Sequence, residues 1–458
     1  MNHIETDYLI IGAGAMSLAF ADELLASSRD VHLTIVERRS APGGHWVDAY
    51  PFVRLHQPAI GYGVNSARLG SGGEDLSSRS EILAYYERVI ARMLATGRVS
   101  VHFACEVDAD GDIVSLLDAR QRIAVTVRRR VVDGGYMKVE VPATHPPRYA
   151  VDDDVTLVPP NALARMQSSS DRYVVIGAGK TGIDSVLFLL DHGVRPDRIQ
   201  WILSADIWMW NRAHVQRGQV GEELLSFVRA IAEEDDLASV YRRLERQGSL
   251  LRLSSDVEPR RWRCATVSVA ELEKLRRVTD QVRLGRVQRI SRHQVLLDGG
   301  TLPVDGRSVF VDCTANGLTP RTPKPIFAPE RITLQSVYMC QQVLSAAVIA
   351  RMESMAMEDA ERNALWSVVP HPNDSADMPE LMVRTMKNLL AAQPAMGWWL
   401  WRARLNILSH DGSLAYLRAA IQAMRWVRRA EARLPALVPP RGGSDEPLAP
   451  AESGHRAA

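Results

Sequence analysis

The first strongly patterned stretch runs from four consecutive apolar or aromatic residues, Tyr8–Ile11, through a glycine-rich turn into AMSLAFADELL, which has helical spacing. A second apolar run, VHLTIVE, closes on Glu37. Strand, tight turn, helix, strand and terminal acid is the layout of a dinucleotide cradle. The layout returns in RYVVIGAGKTGIDSVLFLLDHG, followed by the strand IQWIL. Between the two, residues 80–97 carry helical spacing with Ser80 as N-cap. Residues 99–142 alternate apolar and polar positions and predict a set of strands. The proline-rich, polar stretch 143–171 reads as a crossing between domains. Residues 213–280 lack strand signals and predict helices. From residue 281, VRLGRVQRIS, QVLLDGGT and SVFVDCTANG read as strands around a Gly-Gly hairpin turn. After Pro329 the pattern is helical to about residue 438, and 439–458 has the composition of a disordered tail.

The two glycine turns carry the candidate chemistry. Gly12, Gly14 and Ser17 occupy the three small-residue positions of G-x-G-x-x-G. The first allows the tight turn, the second lets backbone approach a pyrophosphate, and the third lets helix and strand pack. Glu37 is placed to accept hydrogen bonds from ribose hydroxyls and would repel a 2′-phosphate, which favours the ADP half of FAD or NAD. Gly177, Gly179 and Gly182 fit the full pattern. The enclosed Gly-Lys-Thr invites a P-loop reading, but Val174 stands where that motif needs glycine, so phosphate transfer is excluded. Lys180 meets a phosphate in one reading and is solvated in the other. Two dinucleotide sites in one chain follow the logic of a flavoprotein that keeps FAD bound and is reduced by NADPH or NADH.

The expected fold is therefore α/β, with two Rossmann-like dinucleotide-binding domains. The FAD domain is discontinuous, over 1–163 and 303–350. The NAD(P) domain covers 171–302 with a helical insertion at 213–280, and a C-terminal helical region covers 351–438. A length of 458 residues allows two or three domains. A formal net charge of +1 argues against nucleic acid as partner and leaves a small molecule. The four cysteines are far apart with no Cys-x-x-Cys pair, which predicts single buried thiols and neither a metal site, a disulfide framework nor a dithiol centre. A polar N-terminus leading into the first strand predicts no signal peptide, and no apolar run reaches membrane-span length. A reducing, cytoplasmic setting is the expectation.

Several short segments resemble flavin-containing monooxygenases and Baeyer–Villiger monooxygenases. PGGHW (42–46) is similar to their GG-x-W segment, YPFVRLHQP (50–58) to YP-x-x-R and R-L-x-L-H-x-P, and SEILAYYE (80–87) to a helix they share. IQWILSADIWMWNR sets Trp208 and Arg212 on the family's tryptophan and arginine, and FVDCTANG resembles the strand and A-T-G turn that closes the FAD domain. The resemblance implies a small organic substrate oxygenated with dioxygen through a C4a-peroxyflavin. It also implies that Gly44, His45 and Trp46 lie against FAD, and that Arg54 near the flavin and Asn65 near its C4a position are the catalytic candidates, with a surface salt bridge and a turn asparagine as their other readings. Three departures bear on this reading. The linker signature is missing from 143–171, Ser204 stands at the position of the arginine that holds the NADPH 2′-phosphate, and Thr314–Gly317 replaces A-T-G. A flavin oxidoreductase that inserts no oxygen, and a nucleotide-binding sensor without turnover, therefore stay open as alternatives.

His56 and His145 are the histidines placed for acid–base work, His145 near the domain crossing. Trp398, Trp399 and Trp401 with Arg402 and Arg404 form an aromatic, basic segment. It reads as a packed helix or a lid over an apolar pocket, with contact to a membrane surface as the alternative. The sequence leaves the oligomeric state unread.

Overall fold

In the computed structural model, residues 2–73, 75–408 and 413–438 are described. The expected tail, 439–458, lies outside them. Strand β1 (Asn2–Ile11), helix α1 (Ala15–Ser27) and strand β2 (Leu33–Glu37) form the first unit. β1 pairs in parallel with β2 on one side and with Arg122–Asp133 on the other. Val99–Phe103 extends the sheet beyond β2, and Arg331–Thr333 extends it beyond Arg122–Asp133, both in parallel. In α1, Leu18, Ala19, Phe20 and Ala21 are all fully buried. A helix apolar on every side needs cover on every side. The sheet supplies one cover, and a later helix, Gln342–Glu353, packs against α1 to supply another.

The second unit begins with β3 (Arg172–Ile176), α2 (Lys180–Asp191) and β4 (Ile199–Ile202). β5 (Arg261–Val267) and β6 (Ser308–Asp312) follow along the chain, and the helix that covers α1 is α3 (Gln342–Glu353). A five-stranded parallel sheet runs in the order Gln281–Val282, β4, β3, β6, Thr156–Val158. β4 and β6 are buried along their whole length, as strands covered on both faces must be. The α/β class with two Rossmann-like units is what the repeated pattern predicts.

Several expectations change, beginning with the cap of the helix Arg79–Leu94, which is Ser78 in a capping box with Glu81 and not Ser80. The strand in FVDCTANG does not complete the first sheet. It is β6, held between β3 and Thr156–Val158 in the second, and Arg331–Thr333 extends the first sheet instead. Its uninterrupted apolar run suits the middle of any parallel sheet, so the pattern alone does not choose between them.

The stretch 213–280 contains helices at Val220–Glu233, Leu237–Arg246 and Val269–Arg276, but also β5. β5 joins Ile207–Asn211 and Leu250–Leu251 in a separate three-stranded sheet. Arg261 and Arg263 interrupt the apolar run there, although Trp262, Cys264, Ala265, Thr266 and Val267 are buried.

Cys264 and Cys340 are not single thiols but form a disulfide across 76 residues. β5 and the turn before α3 bring them together, and no local spacing records that meeting. Cys105 and Cys313 remain free thiols.

The C-terminal region is helical, as expected, with helices at Asp359–Leu365, Met378–Ala391, Gln393–Arg402 and Ser413–Leu437. The last of these packs on Val220–Glu233. Trp399 donates from Nε1 to Glu23 on α1 at 2.6 Å, while Trp398 is 68% exposed and stacks on Trp401. Among the described residues no helix is long and apolar enough to cross a membrane.

Candidate functional site

At the first glycine turn, Gly12 holds a φ of +92°, which glycine adopts without steric cost. Gly14 is the N-cap of α1 with no side chain bonded to the helix start, and the first helical turn carries no acidic residue. The amides there are left to an anion, which the helix dipole favours. Ser17 is fully buried with its Oγ unpartnered, and a Cβ on Gly134 would stand 1.9 Å from that oxygen. It therefore serves the packing role of the third position.

Glu37 is 3% exposed. One of its oxygens accepts from the Ala13 N–H at 2.7 Å and the other from the Arg39 N–H at 2.9 Å. This places a carboxylate against the turn, where the Arg39 guanidinium also meets it at 3.4 Å.

The segment with Gly44, His45 and Trp46 folds directly onto this turn. Gly43 donates its N–H to Ala13 O at 2.9 Å, and a Cβ on Gly44 would stand 3.0 Å from Gly14 Cα. Trp46 donates from Nε1 to the Tyr62 hydroxyl at 2.8 Å. Burial, with the nearby Arg39 charge, pushes His45 down to about 4, so its imidazole is neutral at neutral pH.

The second turn is more open. A Cβ on Gly177 (φ +130°) would meet Cys313 O at 2.7 Å, and one on Gly182 would meet Gly177 O at 2.0 Å, so both are required by the backbone. Nothing lies within 4 Å of a Cβ on Gly179, which N-caps α2 without a side-chain bond to the helix. The geometry is a cradle for an anionic group. Ser204 lies exposed two residues past the end of β4. Lys180 is paired with Asp184 one helical turn on, so its ammonium is neither free nor fully solvated.

The two turns are linked. Tyr50 donates its hydroxyl to Asp184 at 2.7 Å, and Phe52 stacks on Phe188 of α2 with ring centroids 4.1 Å apart. The chain then continues to His56 and Gln57, which line a cleft with Thr266, Tyr338, Cys340 and Gln341. The room in the cleft for water-sized molecules is about 30 Å³, so it is narrow in this conformation. Arg212 is buried and fully engaged. It donates to His56 O at 3.1 Å and Thr266 O at 3.3 Å, and pairs with Glu271 at 2.7 Å. Gln341 donates to Gln57 at 3.1 Å. His56 Nδ1 and Gln341 Oε1 are buried in the wall of the cleft without a hydrogen-bond partner. Burial, with Lys180 and Arg212 adding to it, pushes His56 down to about 3.

Other candidates are not gathered here. Arg54 is exposed and donates to Leu76 O at 3.0 Å. Asn65 is committed elsewhere: its Nδ2 donates to Glu23 at 2.8 Å and its Oδ1 accepts from Leu405 N at 3.1 Å. His145 lies in its loop, bonded to Thr144 and Val141. The sequence reading missed Tyr50, Asp184, Gln341 and the cysteine pair. A tyrosine in YP-x-x-R and an aspartate one turn into a nucleotide helix look ordinary until their contact is seen.

No family model matches the chain. It is 43% identical over 424 residues to the uncharacterized protein Rv2000 of Mycobacterium tuberculosis, covering 89% of this chain and 78% of that one. The uncharacterized protein Mb2023 of Mycobacterium bovis matches to the same extent. The chain belongs to the family of these mycobacterial proteins. Among solved structures, the polycyclic ketone monooxygenase of Thermothelomyces thermophila is similar, with a TM-score of 0.51 and 12% identity. The match covers 94% of this chain and 89% of that one. At that identity the match shows the fold alone: this chain, with its two Rossmann-like units, is folded as that monooxygenase is.

Proposed function

We propose that the chain is an FAD-dependent oxidoreductase that is reduced by NADH or NADPH and oxygenates a small organic substrate with dioxygen. The observation that carries this reading is the pair of uncapped glycine turns joined through Tyr50 and Asp184. Bound FAD supplies the electron and oxygen chemistry that side chains cannot.

The residues around it bind, orient and exclude water. Gly12, Gly14 and the first-turn amides of α1 hold the FAD pyrophosphate, and Glu37 accepts from its ribose. Gly44, His45 and Trp46 border the flavin, and a neutral His45 adds no charge there. Gly177, Gly179 and the amides of α2 hold the nicotinamide cofactor, with Ser204 at its ribose and Lys180 at a phosphate. Arg212 positions the His56 backbone, so His56 and Gln57 present a fixed polar edge to the substrate. Asn65 acts as a positioning residue that fixes its loop to α1 and to Leu405, and Arg54 fixes the same region from outside. The protein works in the cytoplasm in this reading.

The test is spectroscopic. Anaerobic NADH or NADPH should bleach the flavin of the purified protein, and labelled dioxygen should then appear in product. A flavin that neither cofactor bleaches overturns the reading. Stoichiometric hydrogen peroxide with no label in product favours the second reading, an oxidoreductase without oxygen insertion. The absent linker signature at 143–171 speaks for that alternative.

A further inference from the structure

Two cysteines distant in sequence meet in the wall of the cleft. Cys264 belongs to β5 and Cys340 to the turn just before α3, and their sulfurs are bonded. Both line the cleft beside His56, Gln57 and Gln341. Cys264 is 3% exposed, whereas Cys340 is only partly covered, so Cys340 is the more accessible residue of the pair.

Three features separate this bridge from a structural staple. It borders a cleft on one side while packing on the main apolar core on the other. Cys340 stands one residue before the N-cap, Gln341, of a 12-residue helix whose dipole favours thiolate over thiol near its start. Both cysteines hold left-handed backbone, with φ of 55° for Cys264 and 58° for Cys340. L side chains rarely adopt that conformation, and where they do it concentrates at functional sites.

We propose that Cys264–Cys340 is a thiol–disulfide exchange site for low-molecular-weight thiols entering the cleft. The thiolate of the small molecule attacks Cys340 Sγ, the Sγ–Sγ bond breaks, and Cys264 leaves as a thiolate that takes up a proton. A second small-molecule thiolate attacks the outer sulfur of the mixed disulfide, and Cys340 leaves as a thiolate at the helix end. The protein gains two electrons, and two protons once both sulfurs are protonated, while the small thiols depart as their disulfide. Run in reverse, the protein dithiol reduces a small disulfide. The opened bridge also frees β5 from the turn before α3, so the exchange acts on the walls of the cleft.

The experiment uses the folded full-length protein, with dithiothreitol and oxidised glutathione as probes, and alkylation mapped by mass spectrometry as readout. Air-oxidised protein should alkylate at neither Cys264 nor Cys340 until dithiothreitol is added. The bridge should then open at least about tenfold faster than the chain unfolds under the same conditions. Free thiols at both positions before reduction, or opening only at the unfolding rate, overturns the proposal. In Cys264→Ser, oxidised glutathione should load Cys340 at least about tenfold faster than Cys105 or Cys313, and equal rates overturn it. If that variant does not fold, the unfolding comparison on the unaltered protein still decides. The readout needs neither FAD nor nicotinamide, so its failure and a failure of hydride transfer are told apart.

Discussion

Tyr50 and Asp184, 134 residues apart in the chain, share a hydrogen bond of 2.7 Å in which the phenol donates to the carboxylate. The other Asp184 oxygen holds Lys180, the first residue of α2. Burial, and then the Asp184 charge, raises Tyr50 well above the ordinary phenol range, so the donor keeps its proton throughout the working pH range. The loop that leaves the first glycine turn is thereby tied to the helix that leaves the second.

Tyr50→Phe keeps the ring against Phe52 and deletes only the donor. Asp184 stays paired with Lys180, so stability should fall by about 1 kcal/mol, read as a lower urea midpoint. The KM for the nicotinamide cofactor should rise by about fivefold, the equivalent of that energy. An unchanged midpoint and KM would show that the bond couples nothing.

The roles of Gly182 and Gly179 at the second turn separate by substitution. Gly182→Ala drives a Cβ into Gly177 O and should cost about 1–3 kcal/mol or more, seen as a lower Tm. Gly179→Ala meets no atom within 4 Å, so stability should stay within about 0.5 kcal/mol. With the nicotinamide cofactor's pyrophosphate at this turn, as proposed, its methyl would take that space, and NADH binding measured by fluorescence quenching should weaken. Unaltered binding by Gly179→Ala would move the cofactor away from this turn.

Ser204 is exposed past the end of β4 and carries no charge. Ser204→Arg adds a guanidinium suited to a phosphate, and should raise kcat/KM for NADPH relative to NADH by about tenfold. An unchanged ratio in steady-state assays would place the ribose elsewhere.

Glu37→Ala removes the acceptor of the Ala13 and Arg39 amides at a buried site, at a cost of about 1–3 kcal/mol. The purified protein should carry less than half the flavin per chain of the parent, by absorbance, whereas Glu37→Gln, which keeps an acceptor, should retain more. Equal flavin content in all three would remove Glu37 from the site.

Acid should destabilise the protein through its buried histidines. His56 and His371 are both held near 3 against an ordinary 6.5, by burial first; Lys180 and Arg212 add to it at His56, and Arg263 and His56 at His371. Between those values the unfolded chain binds protons that the folded chain refuses, so stability is full above pH 6.5 and falls as pH drops. From pH 6.5 to 5 the loss is about 2 kcal/mol per histidine. His371→Gln should remove one such share from the difference between urea-derived stabilities at pH 7 and pH 5. An identical difference in parent and variant would show that His371 does not titrate in this way.

The sequence by itself determined the two cradles. Each is a contiguous strand–turn–helix–strand: Gly12 and Gly177 take positive φ, Gly182 must clear Gly177 O, and Gly14 and Gly179 N-cap the helices that follow. Glu37 was legible for the same reason, because it ends the strand next to its own turn. Tertiary structure decided what no local period records. β6 carries an apolar run that either sheet would accept, and the free edge of β3 took it. β5 was hidden because arginines interrupt its apolar run, and it became a strand by pairing with Ile207–Asn211. Asn65 was drawn to Glu23 and Leu405 rather than to the cleft, since a buried carboxylate needs donors. The Cys264–Cys340 bridge and the Tyr50–Asp184 bond join residues far apart in the chain. Contacts of that kind depend on where packed elements meet, and only the folded chain supplies that.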